Sequence, residues 1–384
     1  MSHIAFLNIP GHGHVNPTLP VVAELVARGH RVTYAVPEGF TAAVEHAGAT
    51  ALGHPTTLPA DDREWPTEAA PAMRLFLAEA VAVLPLLAAA CADDRPDAVV
   101  HDIGAWTGRV LAARWGVPAI QFSPTFVAYE GWEEDMGPIN DTPEMKAVHA
   151  DIGAWLRAQG VTMPVLEYVG HPDRAIVSIT RSFQRGDVVA DKYAFVGPCL
   201  GDRSFQGSWQ PPADGRPVLL VSLGSAYTDD PAFYRACLAA FGGSEWHVVV
   251  NIGAHVDPAE LGDVPAGVEL HRRVPQLEIL SHAKVFVTHC GMGGTMEALY
   301  HGVPMIGVPT IGEQVVNAAR VAELGYGRHL PREQVTPEAL RAAARELADD
   351  PEVAARLAAA RAEVRSAGGP PPAARRGERP RRGR

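Results

Sequence analysis

Two runs of alternating strand-length and helix-length apolar segments dominate this 384-residue sequence. The first run contains IAFLNIP, RVTYAVP, DAVVHD and PAIQFSP, with helical spacing of apolar residues between them. The second run begins with VLLVSLG and continues through WHVVVNIG, VFVTHCG and PMIGVP. Strands separated by helices are joined by right-handed crossovers and form parallel sheets. We therefore predict an α/β protein with two Rossmann-like, doubly wound domains.

The predicted domain boundaries follow the changes in composition along the chain. Residues 1–200 form the first domain and residues 218–367 the second. Residues 201–217, GDRSFQGSWQPPADGRP, are polar and rich in Gly and Pro, which predicts a linker. Residues 368–384 form a basic tail. Three consecutive prolines and the lack of an apolar face predict that this tail is disordered from Pro370 onward.

The composition predicts a soluble globular protein. Hydrophobic residues make up 47% of the chain and charged residues 20%, which is enough to build two cores. The net charge of −11 argues against a nucleic-acid binder, and the basic tail is predicted to be a solvated end rather than a site for nucleic acid or an anionic membrane. The cysteines are isolated in the sequence, so neither a disulfide framework nor a zinc cluster is predicted, and a reducing cytoplasm is favoured. They are Cys91, Cys199, Cys237 and Cys290.

Two apolar segments raise the question of a signal or a membrane span. The first, IAFLNIP, is only strand-length and continues into a turn of Gly and His, so no export signal is predicted. The second, residues 73–92, is long enough to resemble a membrane span, but Arg74, Glu79 and Pro85 interrupt it. We predict an amphipathic helix packed on a core, and no membrane span.

The stretch NIPGHGHVNP joins the first strand to the next helix. Ligands of parallel α/β sheets bind at the carboxyl ends of the strands, so His12 and His14 are placed where chemistry is common. Another strand ends in VVHDIG, in which His101 and Asp102 must point to opposite faces, so only one of them can lie on the side of the ligand. Taken alone, each of these histidines is more often a turn or capping residue.

The stretch FVTHCGMGGTMEAL has the pattern of a strand, a glycine-rich turn and a helix start. Backbone N–H groups and the positive end of the helix dipole would favour an anion there, and a diphosphate suits such a place. A turn that merely connects two elements is the alternative, and the same holds for VSLGS at the end of another strand.

Residues 274–314, VPQLEILSHAKVFVTHCGMGGTMEALYHGVPMIGVPTIGEQ, resemble the nucleotide-sugar-binding signature of inverting glycosyltransferases that act on small lipophilic acceptors. From the N-terminus to about Ala367 the chain resembles the macrolide glycosyltransferases of antibiotic-producing bacteria, with GHGHVNP and VVHDIG at the matching places. The resemblance implies the GT-B fold, in which two Rossmann-like domains face each other across a cleft.

The resemblance also implies roles for residues of the second domain. His289 would contact a phosphate, Glu297 would hold the ribose hydroxyls, and Glu313 with Gln314 would hold the sugar hydroxyls, although a helix N-terminal acid is an alternative for Glu313. Arg273 is a departure, because many relatives have a stacking tryptophan there. The implied donor site comprises Ser225, Arg273, Val274, Gln276, His289, Gly291, Gly293, Gly294, Thr295, Glu297, Glu313 and Gln314.

His14 matches the general base of the family, and Asp102 matches the carboxylate that orients it. Aromatic residues cluster along the chain near Asp102, and a lipophilic acceptor site would use some of them, although such residues are more often core. The acceptor candidates are Trp106, Phe122, Phe126 and Trp132.

The implied function is transfer of a sugar, glucose from UDP-glucose, to a hydroxyl of a macrolide or similar small molecule, with self-protection from the antibiotic as its role. A biosynthetic transferase that uses a TDP-deoxysugar, a non-catalytic partner that binds nucleotide sugar, and a sugar-nucleotide epimerase are the alternatives. The sequence has no Asp-x-Asp pair of the kind that holds a diphosphate through a metal ion, so no essential metal and no bound cofactor are predicted. A monomer and a homodimer both remain open.

Overall fold

The computed structural model describes residues 1–189, 191–203, 206–225 and 228–377. It divides into two compact units. Unit 1 comprises Met1–Gly201 together with the chain from Ala367 onward, and unit 2 comprises Asp202–Ser366. Each unit is an α/β structure built on its own parallel sheet, as the alternation of strands and helices predicts.

Unit 1 contains a seven-stranded sheet in the order β3-β2-β1-β4-β5-β6-β7, and every pairing is parallel. Strand β4 is therefore the middle strand with β1 beside it, and the order reverses between β1 and β4, which is where α/β sheets bind ligands. The strands are β1 (His3–Leu7), β2 (Arg31–Pro37), β3 (Thr50–His54), β4 (Ala98–Asp102), β5 (Ala119–Ser123), β6 (Ala175–Val177) and β7 (Tyr193–Phe195).

Helices cover both faces of this sheet, because alternate side chains of the buried strands are apolar on each side. Ile4 and Phe6 of β1 pack in one core, and Ala5 and Leu7 pack in the other. The helices of unit 1 are α1 (His12–Val15), α2 (Leu19–Ala27), α3 (Thr41–His46), α4 (Ala69–Ala90), α5 (Thr107–Trp115), α6 (Trp132–Asn140), α7 (Pro143–Ala158), α8 (Val165–Gly170) and α15 (Pro370–Gly377).

Within the described ranges, α4 is the one helix long and apolar enough to cross a membrane by length and composition. A helix that packs on a core passes the same test. Val83, Leu84 and Leu87 of α4 are buried, whereas Val81 and Leu86 are exposed. Its neighbours are α5 and α7. The helix is thus amphipathic and covers a core of unit 1 with one face.

Unit 2 contains a six-stranded parallel sheet in the order β10-β9-β8-β11-β12-β13. Its strands are β8 (Val218–Ser222), β9 (His247–Asn251), β10 (Val268–His271), β11 (Ala283–Thr288), β12 (Met305–Gly307) and β13 (Gly327–His329). Its helices are α9 (Pro231–Phe241), α10 (Gln276–Leu280), α11 (Met292–His301), α12 (Gly312–Glu323), α13 (Pro337–Asp349) and α14 (Pro351–Ser366). Of the two central strands, β11 is followed by a glycine-rich turn, and β8 is followed by a turn that contains Gly224.

The segment predicted as a linker packs on unit 2. Trp209 is buried, and its backbone N–H donates to the carboxylate of Glu278 over 2.8 Å. Its indole Nε1 donates to Glu269 over 3.2 Å. These contacts hold the polar stretch against unit 2. The Gly and Pro residues of the stretch thus belong to an irregular segment that packs on that unit.

The prediction of disorder from Pro370 onward is wrong for Pro370–Gly377, which form helix α15 on unit 1, and residues 378–384 lie outside the described residues. The prolines occupy the first turn of the helix, where backbone N–H groups have no partner within the helix and the fixed φ of proline is favourable. Ala373 and Ala374 are fully buried against unit 1, with α2 as the neighbouring helix. Two alanines are a sufficient apolar face because the helix approaches α2 closely.

Candidate active site

His14 and Asp102 form a hydrogen-bonded pair in unit 1. The distance between His14 Nδ1 and Asp102 Oδ2 is 2.7 Å. His14 lies in α1, the short turn of helix after β1, and Asp102 is the last residue of the neighbouring strand β4. The Asp102 side chain is inaccessible to solvent, whereas that of His14 is 29% exposed. The pair therefore consists of a buried carboxylate and a histidine that reaches the surface of unit 1.

The second carboxylate oxygen of Asp102 is also engaged. Oδ1 accepts a hydrogen bond of 2.7 Å from the backbone N–H of Gly104. The carboxylate is held from both sides, so its orientation toward His14 is fixed. A buried carboxylate in this position selects the histidine tautomer that carries its proton on Nδ1, and the lone pair then lies on Nε2.

His101 points to the opposite face of the sheet. Its ring packs against Gly108 of α5, and its Nδ1 lies 3.0 Å from the backbone carbonyl of Asp102. Burial lowers the pKa of His101 to about 4. His101 is thus a neutral core residue, and alternation along β4 separates it from the pair.

The glycine-rich turn of unit 2 has a strained backbone. After β11 the chain passes through His289 and Cys290, and Cys290 has φ 58°, the left-handed region that few residues other than glycine adopt. The side-chain amide of Asn317 donates to the Cys290 carbonyl over 2.9 Å and helps to hold the turn. Helix α11 then begins after Gly291, and no side chain among the described residues caps its first turn. Its first backbone N–H groups, including those of Gly293 and Gly294, thus suit an anion.

His289 packs between two glycines. A Cβ atom on Gly224, which follows β8, would lie 2.5 Å from Cε1 of His289, and one on Gly291 would lie closer still to Nε2. Burial lowers the pKa of His289 to about 4, so the ring is neutral near pH 7. Because glycine sequences at these places also fit ordinary turns, sequence analysis did not identify this packing.

Both carboxylate oxygens of Glu297 have partners within unit 2. Oε1 accepts from the guanidinium of Arg203 over 2.6 Å, and Oε2 accepts from the side-chain amide of Gln276 over 2.7 Å. Glu297 is only 3% exposed. Sequence analysis missed Arg203 because it lies in the segment predicted as a linker, and no motif marks it.

Two residues of the expected donor site have structural roles. Thr295 is fully buried, and its hydroxyl donates to the carbonyl of Gly291 over 3.1 Å. The amide oxygen of Gln314 accepts from the backbone N–H of Thr310 over 2.8 Å at the start of α12. The Thr295 hydroxyl and the Gln314 amide oxygen therefore hold the backbone of unit 2, and the ligand contacts expected of these residues stay predictions.

The other expected donor residues differ in exposure. Val274 is buried, whereas the side chains of Ser225, Arg273 and Glu313 are exposed on unit 2. The side chains of Ser225, Arg273 and Glu313 are therefore accessible to a ligand.

The aromatic residues proposed for the acceptor separate into two groups. Phe122 is 1% exposed and belongs to the core on the face of α2 and α15, so the structure corrects its assignment to a ligand site. Trp106 is also buried, beside Phe76 of α4. Phe126 and Trp132 are partly exposed; Phe126 stacks on Phe183, and Trp132 packs edge-on against Tyr129.

A small cavity adjoins Trp106. It has a volume of about 20 Å³ and is also lined by Asn8, His54 and Glu79. This is room for about one water molecule, whereas a pocket for a drug-sized ligand has several hundred Å³. Among the described residues, no group of three His, Cys, Asp or Glu side chains is arranged to hold a metal ion.

Comparison with known proteins gives consistent matches. Residues 235–376 match the family described as the C-terminal domain of proteins like erythromycin biosynthesis protein CIII. The chain is 47% identical to oleandomycin glycosyltransferase of Streptomyces antibioticus over 96% of this chain and 88% of that protein. It is 36% identical to demethyllactenocin mycarosyltransferase of Streptomyces fradiae over 97% of this chain and 85% of that protein. The crystal structure of the glycosyltransferase of kitacinnamycin is similar with a TM-score of 0.91 and 44% identity, covering 97% of each chain.

Proposed function

The chain belongs to the macrolide glycosyltransferase family of inverting, nucleotide-sugar-dependent enzymes with the GT-B fold, and we propose that it transfers glucose from UDP-glucose to a hydroxyl of a macrolide or similar lipophilic molecule. The observation that carries this proposal is the hydrogen bond of 2.7 Å between His14 and the buried carboxylate of Asp102. This hydrogen bond provides a general base with a partner that orients it. Transfer of a sugar to a hydroxyl requires such a base, because the hydroxyl must lose its proton.

In the proposed reaction, Nε2 of His14 takes the proton of the acceptor hydroxyl. The acceptor oxygen forms a bond to the anomeric carbon as the bond from that carbon to the diphosphate oxygen breaks, so the configuration inverts and UDP leaves with the bonding electron pair. The neutral imidazole accepts this proton through the lone pair on Nε2. Asp102 stabilises the imidazolium that forms, because its Oδ2 accepts from Nδ1.

The glycine-rich turn and the start of α11 are proposed to bind the diphosphate. The uncapped first turn of α11 offers backbone N–H groups, and the neutral ring of His289 lies beside it between Gly224 and Gly291. A neutral imidazole can donate one hydrogen bond to a phosphate oxygen without requiring a charged histidine.

Glu297 is proposed to accept bonds from the ribose hydroxyls, and this requires a rearrangement. Its two oxygens already accept from Arg203 and Gln276, and the residue is 3% exposed. Each carboxylate oxygen can accept a second bond, but a ribose reaches this buried carboxylate only if a side chain bonded to it, Arg203 or Gln276, moves aside. Arg203 therefore belongs to the proposed donor site.

The identity of the donor and the biological role are parts of the same proposal. The similarity to oleandomycin glycosyltransferase supports transfer of a sugar to an antibiotic, and the role that we propose is glucosylation as protection from that antibiotic. The similarity to a mycarosyltransferase supports the alternative, a biosynthetic enzyme that uses a TDP-deoxysugar. The exposed Arg273 can stack on a nucleobase through its guanidinium, which distinguishes poorly between uracil and thymine. We also propose that the enzyme acts in the cytoplasm, where its buried thiols, Cys91, Cys199, Cys237 and Cys290, stay reduced.

A mass-spectrometric screen tests the proposal. The purified chain is incubated with UDP-glucose, or with a TDP-deoxysugar, and with a panel of macrolides and flavonoids. We expect a mass gain of one hexose on a macrolide with UDP-glucose. A gain of a deoxysugar only with the TDP donor would establish the biosynthetic alternative. Epimerised or hydrolysed donor with no modified acceptor would contradict transferase function.

A further inference from the structure

The turn that carries His14 has little to hold it in place by itself. Helix α1 is four residues long, and none of the side chains that the structure describes caps its N-terminus at Gly11. A general base must be held to within a fraction of an ångström, and the hydrogen bond that Nδ1 of His14 donates to Asp102 fixes only that ring nitrogen. Other contacts must therefore fix the backbone from which the His14 side chain extends.

Three buried polar side chains lie directly beneath this turn. Asn8 follows β1, Thr18 precedes α2 and Tyr34 lies in β2, so three separate elements contribute. All three are buried, and Tyr34 is fully so. We infer that Asn8, Thr18 and Tyr34 are positioning residues that fix His14 for proton transfer; this inference rests on the proposed role of His14 as the general base.

The hydrogen bonds form one connected set that ends on the turn. The Asn8 amide nitrogen donates to the His14 carbonyl over 3.1 Å and to the Tyr34 hydroxyl over 2.8 Å. Tyr34 and Thr18 hydroxyls are 2.6 Å apart, and the Thr18 hydroxyl donates to the Val15 carbonyl over 2.7 Å. Two consecutive carbonyls of the turn are thus held by buried side chains.

The direction of each hydrogen bond is determined. Because Thr18 uses its only hydroxyl proton on the Val15 carbonyl, Tyr34 must donate to Thr18 and accept from Asn8. The Asn8 amide oxygen accepts from the backbone N–H of Ile9 over 2.9 Å, so the orientation of this amide is also fixed. A fully satisfied buried network of this kind is rigid and permits one arrangement of the turn.

The Tyr34 hydroxyl remains neutral throughout the range in which the enzyme can be assayed. Burial raises the pKa of Tyr34 well above its ordinary value, and the negative charge of Asp102 acts in the same direction as a smaller effect. The network is therefore a fixed set of dipoles beside the His14–Asp102 pair and does not itself exchange protons.

Tyr34→Phe and Thr18→Val test the inference, because each removes one hydroxyl and retains nearly all of the side-chain volume. Thr18 does not cap α2 with its side chain, so the valine variant removes no helix cap. We expect kcat for sugar transfer to fall about 10- to 100-fold in each variant, the effect of a sub-ångström to ångström misplacement of a catalytic group. The KM for the donor and the Kd for UDP should stay within about twofold of the parent, since unit 2 is unchanged.

Tyr234→Phe is the matched control. Tyr234 is fully buried in unit 2, and its hydroxyl makes no hydrogen bond to any residue that the structure describes. Removal of this hydroxyl should leave kcat unchanged. Circular dichroism of each variant establishes that it is folded, and Thr18→Val keeps the inference testable if Tyr34→Phe does not fold.

The same substitutions in a His14→Ala background separate positioning from general stability. If the network acts through His14, Tyr34→Phe should cause no further loss of kcat once the imidazole is absent. An equal loss in both backgrounds, or a folded Tyr34→Phe variant with kcat within twofold of the parent, would overturn the inference while leaving His14 as the base. Full activity of His14→Ala alone would instead overturn the proposed function and the inference with it.

Discussion

His101 and Asp102 are neighbours in β4, but their environments give them different roles. Asp102 faces His14, whereas His101 is buried against α5 on the other side of the sheet. That His101 and Asp102 lie on opposite faces was predictable, because successive side chains of a strand alternate between the two faces of a sheet. A carboxylate partner was expected for a catalytic histidine on the first βα turn. Arg203, in contrast, was not predictable, because its contact with Glu297 links positions 94 residues apart without a motif.

The neutral His101 predicts a pH dependence of stability. Its pKa is about 4 in the folded protein and near 6.5 when unfolded, so the unfolded chain binds the proton first as the pH falls. The free energy of unfolding should decrease from pH 6.5 to pH 4, by at most about 1.4 kcal/mol per pH unit for this residue. Urea unfolding measured from pH 4.5 to pH 7.5 should show a shallower dependence for His101→Gln than for the parent.

The free energy of unfolding of His101→Gln will still depend on pH, because burial also lowers the pKa of His289 and of His301 to about 4. An unchanged slope in His101→Gln would show that His101 is already protonated in the folded protein or is accessible to solvent.

The packing of His289, in the turn between β11 and α11, depends on the absence of side chains at Gly224, which follows β8, and at Gly291. Their positions around His289 follow from tertiary packing between two strand ends, so the sequence pattern indicated an anion-binding turn but not the reason for each glycine. The strained φ of Cys290 likewise depends on the surrounding contacts, including that from Asn317.

Alanine substitution tests this packing at the scale of the element. Gly224→Ala places a Cβ atom 2.5 Å from the His289 ring and requires a positive φ of 85°, so we expect a lower melting temperature and weaker UDP binding. Gly291→Ala should act in the same direction. Gly293→Ala is the control for stability, because no atom lies within 4 Å of the Cβ that alanine would add and alanine favours the helix by about 0.5–1 kcal/mol. A Gly224→Ala variant as stable as Gly293→Ala would contradict the packing.

At the scale of the whole molecule, the alternation of strands and helices was enough to predict two parallel α/β units, because crossover connections leave few other topologies. The chain end was not predictable in the same way. Three prolines usually terminate a helix, but at Pro370 they begin one, and whether two alanines suffice for packing depends on the distance to α2.

Substitution of Ala373 tests whether α15 contributes to stability. Ala373 is fully buried, so Ala373→Glu would bury an unpaired charge and should lower the melting temperature by several degrees. Arg375→Gln is the control on the exposed side of the same helix and should change the melting temperature little. Equal melting temperatures for the Ala373→Glu variant and the parent would show that α15 does not pack on unit 1.

The central claim, that His14 and Asp102 perform proton abstraction during sugar transfer, is tested most directly by single turnover of His14→Ala with UDP-glucose and a macrolide, combined with calorimetric titration of UDP. We predict a loss of about 10²–10⁴-fold in the rate of transfer, the usual contribution of a general base, with UDP affinity nearly unchanged because His14 lies in unit 1. Asp102→Asn should also lose activity, because a neutral partner cannot stabilise the imidazolium. A His14→Ala variant that transfers glucose within a few-fold of the parent rate while it still binds UDP would contradict the account.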